Sequence, residues 1–173
     1  DRYLWITGMR QPESRVHSHY WQCRFEQQKA HHKVAGLCGA VDDVTKFINH
    51  TIHPELQKKF MTYADGDTAE EGVNQFDLVV LTEEFDASVV LLHLKFGIKI
   101  IDLLHTSSKT RSHGTWTLTE QQKALLHQRT QVEQKWYDYA AARFKKTVEL
   151  LDADGHFSKA IETLKAMNTK YNE

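Results

Sequence analysis

The stretch FDLVVLTEEFDASVVLL, residues 76–92, decides the fold of this chain. Its first part contains a continuous apolar run, VVL at 79–81, as expected for a strand that is covered on both faces. Acidic residues follow the run, and the spacing then predicts an amphipathic helix over about residues 87–96. We therefore expect a strand at about 77–82 that leads directly into a helix.

The start of the chain has the same order of strand and helix. Residues 3–9, YLWITGM, predict another strand buried on both faces, because residues 3–7 are aromatic or β-branched almost throughout. Pro12 suits the first turn of a helix, because its fixed φ and missing N–H are tolerated there, and this helix is predicted to reach about Gln28. Two such units favour an α/β fold, with both strands parallel in one sheet that is flanked by helices.

The other segments complete the predicted architecture. An apolar face predicts a short helix in 41–52, VDDVTKFINHTI, whereas 64–74 is polar and predicts a surface loop. The segment 99–117 has a mixed pattern, in which a short strand and a basic loop both fit. From Thr119 the pattern is helical to the end of the sequence, with a break at 154–155.

Composition restricts the class of protein. The 173 residues are 40% hydrophobic and 26% charged, which fits one soluble globular domain over 1–173, with an α/β part at 1–113 and a helical part at 114–173. The net charge of −1 gives no electrostatic argument for a nucleic acid or a membrane surface as partner. Apolar runs are broken well before the roughly 20 residues of a membrane helix, and no signal peptide opens the sequence.

Cysteines and histidines raise the question of a metal site. Cys23 and Cys38 are too few for a disulfide framework, so a disulfide between them and two free thiols both remain open. A metal cluster would draw on His17, His19 and Cys23, with His31 and His32 nearby in sequence. On a helix, His17 and His19 lie some 200° apart and cannot converge on one ion, so we expect no metal.

The segment RQPESRVHS, residues 10–18, contains candidate phosphate ligands. A helix N-terminus beside the end of a parallel strand offers free backbone N–H groups and the positive end of the helix dipole. Arg10 adds a cation and Ser18 a hydroxyl donor, with Arg15 as a further contact. Spacing alone favours the alternative, in which these are solvated surface residues.

Three blocks in this sequence resemble those of sulfotransferases. ITGMRQPESRVHSHYW (6–21) is similar to the segment that binds the 3'-phosphate of the donor 3'-phosphoadenosine 5'-phosphosulfate (PAPS), through Arg10, Pro12, Arg15, Ser18 and Tyr20. LVVLTEEFDASVVLL (78–92) is similar to a strand and helix of Golgi carbohydrate sulfotransferases, among them the galactose 3-O and heparan sulfate 6-O and 2-O groups. VEQKWYDYAAARF (132–144) resembles a late helix of the same enzymes.

The sequence also departs from the family pattern. Gln11 stands where the family has an acidic residue, and Thr130 and Glu133 stand where its late helix has Asn and Asp. In the family, a Gly-, Lys- and Ser/Thr-bearing loop that holds the 5'-phosphosulfate lies upstream of the 3'-phosphate segment, and these 173 residues contain no such loop. The general base also usually lies upstream, so the catalytic residues stay unassigned.

The resemblance implies a P-loop-like sulfotransferase fold that is incomplete at its N-terminal side. It also implies PAPS or adenosine 3',5'-bisphosphate as the bound nucleotide, a carbohydrate hydroxyl as acceptor, and the Golgi lumen as location. A missing upstream segment or a protein partner would then cover the sheet. The alternative is a non-catalytic structural or interaction subunit on a degenerate sulfotransferase fold. Lys109 and Arg111 lie in a basic loop that would meet a phosphate, an anionic sugar or only solvent.

We expect that the 173-residue chain, expressed alone, transfers no sulfate. A nucleotide held through its 3'-phosphate has nothing to orient the sulfuryl group or to stabilise the departing phosphate. An assay with labelled PAPS and a panel of sugar acceptors checks this, and sulfate transfer to any of them would show that other residues carry the chemistry.

Overall fold

The computed structural model describes residues 3–29, 38, 41–52, 68–105 and 116–172. His31, His32, Lys109, Arg111 and the predicted loop at 64–67 lie outside these described residues. The elements, in chain order, are β1 (Ile6–Met9), α1 (Pro12–Lys29), α2 (Val44–Thr51), α3 (Ala69–Asn74), β2 (Leu78–Leu81), α4 (Phe85–Phe96), a 3₁₀ helix (Ile100–Leu103), α5 (Glu120–Leu151) and α6 (His156–Tyr171).

The chain divides into two compact units. The first contains the described parts of residues 1–9, 73–111 and 138–173, and the second contains those of 10–72 and 112–137. Helix α5 contributes its first half to the second unit and its remainder to the first. The prediction of one sulfotransferase-like domain over the whole chain stays a prediction.

The sheet belongs to the first unit. Strand β1 pairs with β2 in parallel, from Ile6 opposite Leu78 to Met9 opposite Leu81, which confirms the predicted arrangement of the two strands. Just beyond the ladder, the backbone N–H and the hydroxyl of Thr82 both donate to the carbonyl of Met9, at 3.0 and 2.9 Å. Helix α4 packs against β2 and against α6. The described chain is therefore mostly helical with a small parallel sheet, a coarse α/β class.

Burial of β1 differs from the prediction. Strand β2 is covered as expected, with Leu78, Val79 and Leu81 each 3% exposed. The prediction that residues 3–9 are buried on both faces is wrong for residues 3–6, since Tyr3 is 86% and Trp5 53% exposed. In the described part of the chain the sheet consists of β1 and β2, and a parallel strand is buried on both faces only where helices cover it.

A buried serine joins β2 to the helix that follows it. The backbone N–H of Leu81 donates to Ser88 Oγ at 2.9 Å, and the Ser88 hydroxyl donates to the carbonyl of Leu81 at 3.1 Å. Ser88 is 2% exposed, so both bonds lie away from water. One side chain thus satisfies two backbone groups at the end of β2 and fixes the turn into α4.

The second unit has an apolar core between three helices. Side chains from α1, α2 and the start of α5 meet with their neighbouring loops in one buried cluster, which contains Val16, Tyr20, Cys23, Val41, Phe47, Ile48, Ile52, Leu118 and Leu126. Helix α2 confirms the short helix predicted within 41–52. Its N-terminus is capped by Asp43, whose carboxylate accepts the Lys46 N–H at 3.1 Å.

Two local predictions are wrong. Residues 69–74 form α3 rather than loop, because Thr68 and Glu71 form a capping box. The Glu71 N–H donates to Thr68 Oγ1 at 3.2 Å, and the Thr68 N–H donates to the Glu71 carboxylate at 3.1 Å. In the described residues 99–105, the segment predicted to hold a short strand forms the 3₁₀ helix at Ile100–Leu103. The predicted helical C-terminal third is confirmed, and its break at Gly155 has a φ of 75°, a value that glycine adopts readily.

Ser88→Ala should lower the free energy of unfolding by roughly 1–3 kcal/mol, because it leaves the buried Leu81 N–H without a partner and leaves the Leu81 carbonyl with the Glu84 N–H as its remaining donor. Thr163→Ala is a suitable control, since that hydroxyl is exposed and bonds only within α6. Urea unfolding followed by circular dichroism measures both. Equal stability of Ser88→Ala and the unmodified chain would mean that the two bonds contribute nothing net.

Candidate functional site

The start of α1 has fewer free backbone donors than a helix N-terminus usually offers. The Gln11 side-chain Oε1 accepts the Ser14 N–H at 2.6 Å, and the Gln11 carbonyl accepts the Arg15 N–H at 2.9 Å. Pro12 has no N–H. This first turn therefore offers fewer free N–H groups to a phosphate than the sequence predicts, because the Gln11 side chain accepts one of them.

Arg15 is paired with a buried carboxylate. Its Nη2 lies 2.7 Å from Oε2 of Glu133, which is 118 residues further along the chain. The Glu133 side chain has no exposure to water, and that of Arg15 is 17% exposed. The Nε of Arg15 is also buried and has no acceptor among the described residues. Only the small exposed part of Arg15 can therefore meet a ligand.

Glu133 lies in a row of buried positions along α5. The members are spaced three or four residues apart and are Leu126, Thr130, Glu133, Trp136, Ala140 and Phe144. The Thr130 hydroxyl is satisfied within the helix, where it donates to the Leu126 carbonyl at 2.9 Å. Glu133 differs from these neighbours, because a charged carboxylate in a buried position requires a cation. The signal was present in the sequence, since a glutamate among apolar residues at helical spacing predicts a buried partner.

The other two predicted phosphate ligands lie close to Arg15 in the chain. Ser18 is half-buried and three residues from Arg15, a spacing that places both side chains on one face of α1. Arg10 is half-buried and lies just before the helix. All three residues belong to the second unit. The common position of Arg15 and Ser18 makes the first two turns of α1 the candidate anion site.

An aromatic cluster occupies the same stretch of α1. The Trp116 ring stacks on His17, with ring centres 5.2 Å apart, and on Tyr20, with centres 5.4 Å apart. The Trp21 indole N–H donates to His17 Nε2 at 2.8 Å. His17 therefore contributes to packing and does not reach Cys23. Trp116 Nε1 is buried and has no acceptor among the described residues.

The two cysteines form a disulfide, Cys23–Cys38, with their Cα atoms 5.1 Å apart. This settles the alternative that the sequence left open. His19 lies beside the bridge, because it is one helical turn before Cys23. Burial and the neighbouring Arg15 guanidinium lower the pKa of His19 from its ordinary value of 6.5, so its imidazole is neutral at physiological pH.

The first unit contains a polar cluster that the sequence did not predict. His105 Nε2 lies 3.5 Å from Asp86 Oδ1, and the His105 ring meets the edge of Phe85 at 4.8 Å between centres. Asn168 of α6 accepts the His105 backbone N–H at 3.0 Å. These contacts join the segment after the 3₁₀ helix to α4 and α6. The residues are spread over more than 80 positions, so no local pattern could reveal them.

The residues that carry the sulfotransferase resemblance in the first unit have structural roles. Ser88 holds the end of β2, Leu91 is fully buried and Phe144 is 7% exposed. The Tyr139 hydroxyl accepts a hydrogen bond from the Asn74 side-chain amide at 3.0 Å. These positions contribute to the fold of the unit. They do not assign a reaction to it.

Comparisons with known proteins identify no family. No protein-family model matches the chain, and neither the curated proteins nor the solved structures contain a significant match. Among the described residues, no helix has both the length and the apolar character needed to cross a membrane, in agreement with the expectation from the sequence.

Glu133→Ala should lower the free energy of unfolding by roughly 2–4 kcal/mol, since it leaves the mostly buried Arg15 without its counter-charge. The value is below the upper end for fully buried pairs because Arg15 keeps some contact with water. Glu149→Ala is the matched control on the same helix, because its pair with Lys145 is exposed and worth little. Similar unfolding midpoints for the two variants would contradict a structural role of the buried pair.

Proposed function

We propose that this chain is part of a PAPS-dependent carbohydrate sulfotransferase and that the start of α1 binds the 3'-phosphate of the nucleotide. Arg10 and Ser18 would be the main ligands, with Arg15 beside them. The observation that carries this proposal is the position of Arg15 and Ser18 on one face of α1, with Arg15 held there by the buried Glu133.

The chemistry of these residues suits a phosphate. An arginine offers a planar array of N–H donors that bind phosphate oxygens in pairs, and a serine hydroxyl adds a neutral donor. The chain carries a net charge of only −1, so the attraction would come from these local groups and not from the overall field. Gln11 caps the helix, so side chains rather than free backbone N–H groups would supply most of the binding.

The resemblance to sulfotransferases implies the reaction. A base removes the proton of an acceptor hydroxyl, the oxygen attacks the sulfur in line, and cationic groups stabilise the nucleotide phosphate as it leaves. In this scheme Arg10 and Ser18 position the nucleotide and take no part in proton transfer. The base and the groups around the 5'-phosphosulfate are not assigned to residues of this chain. The P-loop-like sulfotransferase fold, the sugar acceptor and a Golgi location belong to the same proposal.

A second candidate function is a non-catalytic structural or interaction subunit. Two donors that could bind a phosphate are already used inside the protein, the Ser14 N–H by Gln11 and Nη2 of Arg15 by Glu133. A site whose donors are used internally no longer needs a ligand for its stability. Binding of the nucleotide decides between the two candidates.

Arg10→Ala should weaken the binding of adenosine 3',5'-bisphosphate by roughly 1.5–3 kcal/mol, about 10- to 150-fold in Kd, because it removes a charge-assisted hydrogen bond. Ser18→Ala should weaken it by roughly 0.5–1.5 kcal/mol, as expected for a neutral donor. Isothermal titration calorimetry measures both effects.

Arg24→Ala is the matched control, since Arg24 is an exposed arginine further along the same helix, where it contacts Tyr20 and Trp21. Its Kd should equal that of the unmodified chain. Adenosine 5'-monophosphate, which lacks the 3'-phosphate, should bind weakly to all variants. An unmodified chain that does not bind the bisphosphate would favour the non-catalytic subunit, and equal losses for Arg10→Ala and Arg24→Ala would place the phosphate elsewhere.

A further inference from the structure

A histidine side chain lies beside the disulfide of the second unit. One ligand atom each from His19, Cys23 and Cys38 lies within 4.8 Å of the other two. Cys23 is fully buried, whereas His19 and Cys38 are half-buried. The cluster therefore has one buried side and one side that small solutes can approach.

The position of this imidazole is set by its surroundings. His19 and Cys23 are four residues apart on α1, so both project from one face of the helix. The His19 ring also meets the edge of Phe47, a fully buried residue of α2, with ring centres 5.6 Å apart. The histidine is thus held beside the two sulfur atoms by its place on α1 and by its contact with Phe47.

We propose that His19, Cys23 and Cys38 form a Zn²⁺ site when the disulfide is reduced. Two thiolates and one imidazole are ligands that zinc prefers, and three protein ligands with an open fourth position are typical of zinc sites that also bind water or another small ligand. Zinc–sulfur and zinc–nitrogen bonds of about 2.3 and 2.0 Å need ligand atoms about 3.3–3.8 Å apart. Small movements from the present arrangement provide that spacing.

The chemistry balances with a thiol or phosphine reductant. The reductant supplies two electrons, the S–S bond breaks, and two protons from water or from the thiol complete the two cysteine thiols. Zinc then binds with release of both thiol protons, while the neutral His19 donates its lone pair without losing one. The disulfide and the zinc site exclude each other, because both use the same two sulfur atoms. Either one links Cys38 to α1, so the core keeps a cross-link in both states.

Cobalt is a direct probe of this site, because Co²⁺ bound by thiolates shows a charge-transfer absorption that oxygen ligands do not give. The full chain, reduced with a phosphine under nitrogen and freed of excess reductant, should bind one equivalent of Co²⁺ with this absorption, and Zn²⁺ should displace it. The same chain in its disulfide form should show no such absorption. This comparison needs no substitution, so it does not depend on whether a variant folds.

Variants then assign the ligands. In the reduced chain, Cys23→Ser should abolish the absorption. His19→Gln should weaken metal binding by about 100-fold or more, because loss of an outer partner of a ligand already costs about 10- to 100-fold. His17→Gln is the matched control on the same helix, and its Kd for Zn²⁺ should not change. Circular dichroism confirms that each variant is folded.

Three results would overturn the proposal. They are a reduced chain without thiolate-to-cobalt absorption, unchanged metal affinity in folded His19→Gln, and equal losses in His19→Gln and His17→Gln. None of these experiments uses a nucleotide, so their outcome is independent of the proposed sulfotransferase function.

Discussion

The ion pair between Arg15 and Glu133 is the constraint on which the second unit depends. Glu133 has no exposure to water, and a carboxylate in that position is stable only beside a cation that also donates a hydrogen bond. Arg15 meets both needs at 2.7 Å. The bond connects the first turn of α1 to the middle of α5 and fixes the position of one helix along the other.

The same ion pair limits what α1 can do. An arginine that neutralises a buried carboxylate keeps little of its charge for a ligand, so the strength of an anion site here depends on Arg10 and Ser18. Gln11 also reduces the number of donors available to a ligand, because its side chain accepts the hydrogen bond of the Ser14 N–H. The start of α1 is thus well ordered by internal bonds. A rigid site loses little entropy on binding. This order therefore favours phosphate binding only if the donors of Arg10 and Ser18 point to one place.

The three blocks that resemble sulfotransferases differ in what they contribute. In the strand-and-helix block, Ser88 and Leu91 are buried and hold the fold together. In the late-helix block, Phe144 packs in the interior and Tyr139 bonds to Asn74. Only the first block contains residues whose chemistry suits a nucleotide phosphate. The resemblance in the two later blocks is therefore one of packing, and the proposed phosphate site depends on a few polar side chains at the start of α1.

The sequence by itself determined the local elements. Strands, the helix that starts at Pro12 and the long C-terminal helices follow from apolar spacing and from proline and glycine, which act over a few residues. The parallel pairing of β1 and β2 also follows, because two strands that are each followed by a helix pair in parallel through a right-handed crossover connection. Helix α3 could also have been predicted from the sequence, since the capping box of Thr68 and Glu71 is a local signal.

Only the tertiary structure decided which side chains meet. Arg15 and Glu133 are 118 residues apart, Cys23 and Cys38 are 15 apart, and His105 meets Asn168 across 63. A sequence shows that a buried charge needs a partner but not which of many cations supplies it. It also predicts how apolar a strand is but not whether neighbours cover it, which is why β2 is buried as expected and the residues before β1 are exposed. Burial and side-chain pairing depend on contacts between segments that are far apart in the sequence. Local conformational preferences act over a few residues and therefore do not determine them.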